Sequence, residues 1–131
     1  LGDGPFSVCI WIKNGVPGQT IMSPQGRAQW LYTNPIDGSL MTSLSTTGGL
    51  IQPLFSDVVV ADGRWHRVIL VWDGTDRILC VDEEEAARDP LSEVSVPAGK
   101  LITGGSGSLE QGSFWTGLID DVRIYDRVVK P

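Results

Sequence analysis

Apolar and polar residues alternate with a period of two along much of this chain, the spacing of strands that bury one face. Phe6, Val8, Ile10 and Ile12 fall on one face of a first strand, with Ser7, Cys9, Trp11 and Lys13 on the other. The strongest run is Trp65 to Trp72, where Val68-Ile69-Leu70-Val71-Trp72 is apolar on both faces, as expected of a central strand covered on two sides. Asp62-Gly63 precedes this run and Asp73-Gly74 ends it; Arg77 to Val81 then runs back, which predicts a hairpin. Further strands are predicted over Thr20 to Ser23, Ala28 to Thr33, Ser39 to Ser45, Leu54 to Val59, Ser92 to Val96, Lys100 to Gly104 and Phe114 to Tyr125. Turn residues separate them: Pro17-Gly18, Asn34 to Gly38, Gly48-Gly49 and a glycine-rich loop from Gly104 through Gly112. The best helical candidate, Asp82 to Arg88, is short and has no apolar face. About ten short strands with turns between them define an all-β sandwich or barrel.

Composition narrows the class. The 131 residues fit a single domain, 1–131. The chain opens on Leu1 without a methionine and reads as a piece of a longer one. No apolar run approaches the roughly 18 residues of a membrane span. A net charge of -6 argues against nucleic acid as a partner, because phosphates need a basic surface. The two cysteines lack CxxC spacing and are too few for a cysteine zinc site or a disulfide scaffold.

Three segments carry a resemblance. Phe6 to Lys13, FSVCIWIK, is similar to an FTVSAWVK strand. Ala61 to Ala87, ADGRWHRVILVWDGTDRILCVDEEEAA, is similar to a DGxWHHVAxVYDGxxxxLYVDGxxVA hairpin. Gly112 to Val129, GSFWTGLIDDVRIYDRVV, resembles a GxIDDVRIYNRAL ending. Together and in this order they resemble the laminin-G-like, concanavalin A-like lectin/glucanase superfamily. The resemblance implies a two-sheet antiparallel jelly-roll sandwich, used as a binding module of a secreted or cell-surface protein. Relatives carry a strand ahead of the first segment, where this chain has only Leu1 to Pro5. An open edge is therefore expected on the strand Leu118 to Tyr125, with pairing or strand swapping between copies as a consequence. Relatives also place a hairpin glycine where this chain has Glu83, so a longer or differently shaped turn is expected after Asp82.

Candidate chemistry is sparse. The acidic run Asp82-Glu83-Glu84-Glu85 reads as a solvated hairpin tip. Glycanases of this fold use an ExDxxE strand, and no such motif occurs here. His66, the single histidine, sits beside Trp65 at the start of a core strand and reads as structural. No catalytic residues are therefore assigned. The resemblance implies a structural calcium as the candidate cofactor, with Asp120 and Asp121 as its ligands. Alternation puts Asp120 with Leu118 and Val122, and Asp121 with Arg123 and Tyr125, so only one acid can face such a site.

Sugars are held by flat aromatic rings among polar side chains. Trp30, Tyr32, Asn34 and Asp37 lie on one strand and its exit loop, and Trp115 borders the glycine-rich loop; these are the candidate ligand-binding residues. Core packing competes for Trp30 and Tyr32, and claims Trp65, Trp11 and Trp72. The leading expectation is a carbohydrate or glycoconjugate ligand, with a protein-interaction module or a structural spacer as alternatives. Cys9 and Cys80 fall on strands that flank Trp65 to Trp72. Two strand spacings are roughly 9 to 10 Å, beyond the roughly 7 Å limit for a disulfide. Two free, buried thiols are expected.

Overall fold

A computed structural model describes residues 4–24, 30–45, 51–92, 94, 101–103 and 115–129. Ten strands run in chain order: β1 (Phe6–Lys13), β2 (Thr20–Pro24), β3 (Leu31–Thr33), β4 (Ser39–Ser45), β5 (Ile51–Val59), β6 (His66–Trp72), β7 (Asp76–Val81), β8 (Glu84–Pro90), β9 (Leu101–Thr103) and β10 (Leu118–Tyr125). They form two five-stranded sheets, in the orders β10-β1-β6-β7-β8 and β5-β4-β3-β2-β9. Every pairing is antiparallel, and β5 lies across from β8. The architecture is the jelly-roll sandwich expected. No helix among the described residues is long and apolar enough to cross a membrane.

The alternation of β1 explains the core. Val8, Ile10 and Ile12 are fully buried and pair with Leu70, Val68 and His66 of β6. Leu79 and Val81 of β7, and Ile21, Met22, Leu31, Leu40 and Leu44 from the other sheet, close the same core. Trp30 joins them at 1% exposure and stacks on Phe6 with ring centroids 4.9 Å apart. Arg77 is the exception on this inner side, opposite Trp72 and 1% exposed. Its guanidinium grips Asp89 of β8 through Nε and Nη2 at 2.7 and 2.8 Å, a two-pronged pair that makes the burial tolerable.

The segment before β10 is held by a glycine. The ring of Trp115 occupies the space that a Cβ on Gly15 would fill. Gln19 Oε1 accepts hydrogen bonds from the Val16, Thr116 amides and the Thr116 hydroxyl, which ties this segment to the β1–β2 loop.

Several expectations are corrected. The hairpin tip expected over Asp82 to Glu85 is shorter than that: Asp82 and Glu83 form a two-residue turn, and Glu84–Pro90 is a strand paired with β7. The turn is no longer than the hairpin glycine would give, because Asp82 and Glu83 both adopt positive φ (52° and 75°) as a tight primed turn requires. Trp65 is 42% exposed, outside the core, since β6 begins one residue later at His66. Trp11 is half-buried on the opposite side of β1 from the core. Ser92 and Val94 are not in a strand; the rest of Ser92 to Val96, like Gly48-Gly49 and the loop Gly104 to Gly112, lies outside the described residues. β10 is the end strand of its sheet, and its far edge has no paired strand among the described residues.

Candidate functional site

The predicted sugar platform does not assemble. Trp30 precedes the first residue of β3, so strand alternation does not reach it. It turns into the core with Leu31, whereas Tyr32 pairs with Met41 on the outer side and bonds Ser43 Oγ through its hydroxyl at 2.8 Å. Asn34 and Asp37 shape their own turn: Asn34 Oδ1 accepts the Ile36 amide and Asp37 Oδ1 the Ser39 amide, both at 2.9 Å. The Ser39 contact holds the Asp37 carboxyl below the ordinary range. Trp115 is 7% exposed, and its indole nitrogen donates to the Leu118 carbonyl. Trp30 and Trp115 therefore present no open ring face.

A concave site lies instead on the outer side of the β10-β1-β6 end of the first sheet. A cleft of about 200 Å³ is lined by Cys9, Ile10, Trp11, Arg67, Asp121, Arg123 and Tyr125. Cross-strand register builds it in rows. Asp120, Trp11 and Arg67 stand side by side, and Arg123, Cys9 and Ile69 form the next row. A bulge in β10 completes it. Register slips between Cys9 and Trp11, so that Asp121 and Val122 together oppose Ile10. Asp121 carries the positive φ of 49° at this slip, and its carboxylate accepts from Arg123 Nε at 2.9 Å within the cleft. Asp121 first, then Tyr125, hold the Arg123 guanidinium more firmly protonated than usual.

The bulge also revises the alternation expected for the two acids. Asp120 shares the outer face with Trp11 and Leu118, whereas Val122 returns to the inner face with Ile119 and Ile124. Both acids are exposed and on the outer side, rather than on opposite faces. Asp120 Oδ1 accepts the Asp121 amide at 2.9 Å. Calcium takes six or more oxygens. This pair offers two carboxylates, one of them committed to a guanidinium, and no cluster of three or more His, Cys, Asp or Glu able to hold a metal occurs among the described residues. The donor set does not fit calcium here.

Beneath the cleft, Cys9, Ile69, Val71 and Cys80 form a second small apolar cluster, against which Ile78, Tyr125 and Val129 pack. Cys9 and Cys80 both pair with Ile69 from opposite sides, so the thiols are two strands apart, free and buried. Burial pushes both thiols above the ordinary cysteine pKa. The chain after β10 is fastened over this face: Ser7 Oγ donates to the Arg127 carbonyl and accepts the Val129 amide.

His66 forms a clamp at the end of the same sheet. Its Nδ1 lies 2.7 Å from Asp82 and its Nε2 2.8 Å from Asp62. Ionised carboxylates only accept, so both ring nitrogens carry protons and the ring is an imidazolium. Burial opposes that charge, but the hydrogen bonds and charges of Asp82 and Asp62 outweigh it and raise the pKa. Asp82 also accepts the Arg67 amide at 3.0 Å. With both nitrogens engaged, His66 is structural and has no free lone pair for chemistry.

The two antiparallel sheets define a lectin-fold domain. A family model described as the concanavalin A-like lectin/glucanases superfamily, the third laminin G type, matches residues 1–131, and the chain belongs to that family. Among curated proteins it is similar to the pentraxin-related protein PTX3 of Mus musculus, 28% identical over 137 residues that cover 95% of this chain and 36% of that protein. The chain thus spans about a third of that relative's length. Among solved structures, the binding domain of Paraclostridial Mosquitocidal Protein 1 superposes with a TM-score of 0.75 at 12% identity, over 97% of this chain and 35% of that one. The native heptameric SAP-like pentraxin from Limulus polyphemus superposes with a TM-score of 0.71 at 17% identity, over 98% of this chain and 66% of that one. At these identities the likeness shows the fold alone.

The cleft was hard to find in the sequence. Trp11 and Cys9 were legible as the second face of β1, whereas Arg67 carried no signal of its own. What joins them to Asp121 and Arg123 is the pairing of β1 with β10 and a bulge that alternation does not foresee.

Proposed function

We propose that this domain is a non-catalytic binding module for a carbohydrate or glycoconjugate, within a secreted or cell-surface protein, and that the ligand sits in the outer cleft between Trp11 and Tyr125. The observation that carries this reading is the convergence there of two aromatic side chains with Arg67, Arg123 and Asp121 in one concave surface. Aromatic rings beside hydrogen-bonding groups suit a sugar, with apolar ring faces and hydroxyl edges. No calcium is invoked. The test is a glycan array probed with the native domain, with and without chelator, and with Trp11→Ala, Tyr125→Ala and Tyr32→Ala/Asp37→Ala. Chelator-resistant binding lost in the first two variants and kept in the last is expected. Loss confined to the last would move the site to the β3 exit loop, and loss on chelation would restore calcium.

A protein partner is the second reading, favoured by one observation. β10 ends its sheet among the described residues, and Leu118, Val122 and Ile124 along it are 53%, 40% and 40% exposed. An open strand edge with apolar side chains can accept another strand. Light scattering that gives a dimer, dissociated by Ile124→Lys, is the expected result under this reading; a monomer at every concentration excludes it.

A further inference from the structure

Among the described residues lining the cleft, the one acid, Asp121, already has a cation, and one cation, Arg67, has no acid. Asp121 is bound by Arg123. Asp82, next to Arg67 across the turn, is bound by His66. Asp120 stands on the far side of Trp11, two strand spacings from Arg67, roughly 9 to 10 Å and about a Debye length at ordinary salt. Arg67 itself is half-buried, lines the cleft, and has no side-chain hydrogen bond or ion pair among the described residues. A guanidinium partly withdrawn from water and left without a counter-charge loses hydration without compensation, and a planar carboxylate supplied by a ligand matches its fork.

We propose that the ligand is an acidic sugar, carrying one carboxylate that pairs with Arg67 while its ring lies against Trp11. This rests on the reading of the cleft as a sugar site. A single carboxylate is specified, rather than a polyanion, for two reasons. Only one of the cations lining the cleft lacks an ion pair among the described residues, and the chain's net charge of -6 repels extended negative chains.

The experiment measures binding of matched oligosaccharides to the native domain, Arg67→Gln, Arg67→Lys and Trp11→Ala. The pairs end in a uronic or sialic acid or in the corresponding neutral sugar, and a heparin oligosaccharide is the polyanion probe. Arg67→Gln should weaken the acidic ligand about tenfold more than the neutral one, the effect of losing one charge-assisted hydrogen-bonded pair. Arg67→Lys should recover part of that loss, and Trp11→Ala should weaken both. Because the Arg67 side chain has no hydrogen-bond or ion-pair partner among the described residues, the variant should melt as the native domain does. Equal binding of acidic and neutral sugars by native and Arg67→Gln domains overturns the acidic specificity and leaves the sugar site standing. Tighter binding of heparin than of the single-carboxylate sugar also overturns it. No glycan binding by the native domain removes both readings.

Discussion

The two faces of β1 and β6 use the same strands for opposite ends. On the inner face, Val8, Ile10, Ile12, Val68 and Leu70 are all fully buried and chemically uniform. On the outer face, residues one position away alternate between a half-buried indole, a thiol, a guanidinium and an isoleucine. The difference teaches that the larger core lies on one side, which leaves the other side, beyond the small cluster of Cys9, Ile69, Val71 and Cys80, to carry groups that do not optimise packing. Ile10→Ala should expose the contrast most strongly. It removes a fully buried side chain from the centre of the core and should cost about 3 to 4 kcal/mol, whereas Trp11→Ala should cost about 1 kcal/mol and act on binding instead. Chemical denaturation of both variants checks this; equal losses would abolish the distinction.

Ion pairs divide the same way. Arg77 and Asp89 form an inner pair with the guanidinium 1% exposed, while Arg123 and Asp121 form an outer pair 60% and 46% exposed. Asp89→Ala leaves a buried charge short of its main partner and should cost about 3 kcal/mol. Arg123→Gln should leave stability nearly unchanged, because both partners of the pair are well exposed. Urea midpoints of the two variants decide whether burial, and not pairing as such, sets the scale.

The His66 clamp lies at the start of β6, opposite Ile12, and it gives the comparison a pH axis. A raised histidine pKa stabilises the fold fully below the ordinary value of 6.5, and this contribution fades as pH rises through the raised value. Asp62 works in the other direction. Burial opposes its charge, yet its bond to His66 and the Arg64 amide lower its pKa, so its contribution is present above the ordinary 3.8 and fades as pH falls through the lowered value. Melting temperature should therefore peak between about pH 4 and 6.5 and decline on the alkaline side. His66→Gln should cost about 2 kcal/mol at pH 6 and flatten that alkaline decline. A native profile as flat as the variant's would show that the clamp contributes nothing.

Legibility in the sequence followed the same boundary. The inner face could be read directly, because a period of two in β1, β6 and β7 needs only local spacing. The thiols were legible for the same reason: both lie on the outer face of strands flanking β6. Trp72 was legible too, at 5% exposure in the core. Trp65 and Trp30 were not: core packing was expected to claim Trp65, which is exposed, and Trp30, left open between binding and packing, is buried, since each sits one residue outside its strand where the period no longer applies. The cleft depends on residues more than a hundred positions apart, brought into register by β1–β10 pairing and shifted by a bulge at Asp121. A non-glycine residue at positive φ leaves no mark in the hydrophobic pattern.

If residues away from the inner face are not chosen for stability, some should be improvable, and the turn between β7 and β8 offers the sharpest case. Asp82 and Glu83 both hold left-handed backbone, φ 52° and 75°. Such a conformation costs a non-glycine residue roughly 1 to 2 kcal/mol. Asp82 has compensation, because its carboxylate binds His66 and the Arg67 amide. Glu83 is exposed and has no hydrogen bond or ion pair among the described residues. Glu83→Gly should relieve the strain at the expense of some unfolded-chain entropy, for a net gain of about 1 kcal/mol. Asp82→Gly should relieve similar strain yet lose stability overall, because His66 is left with one carboxylate. Paired melting curves separate the two residues, and a destabilised Glu83→Gly would mean that the glutamate has a structural role in this turn.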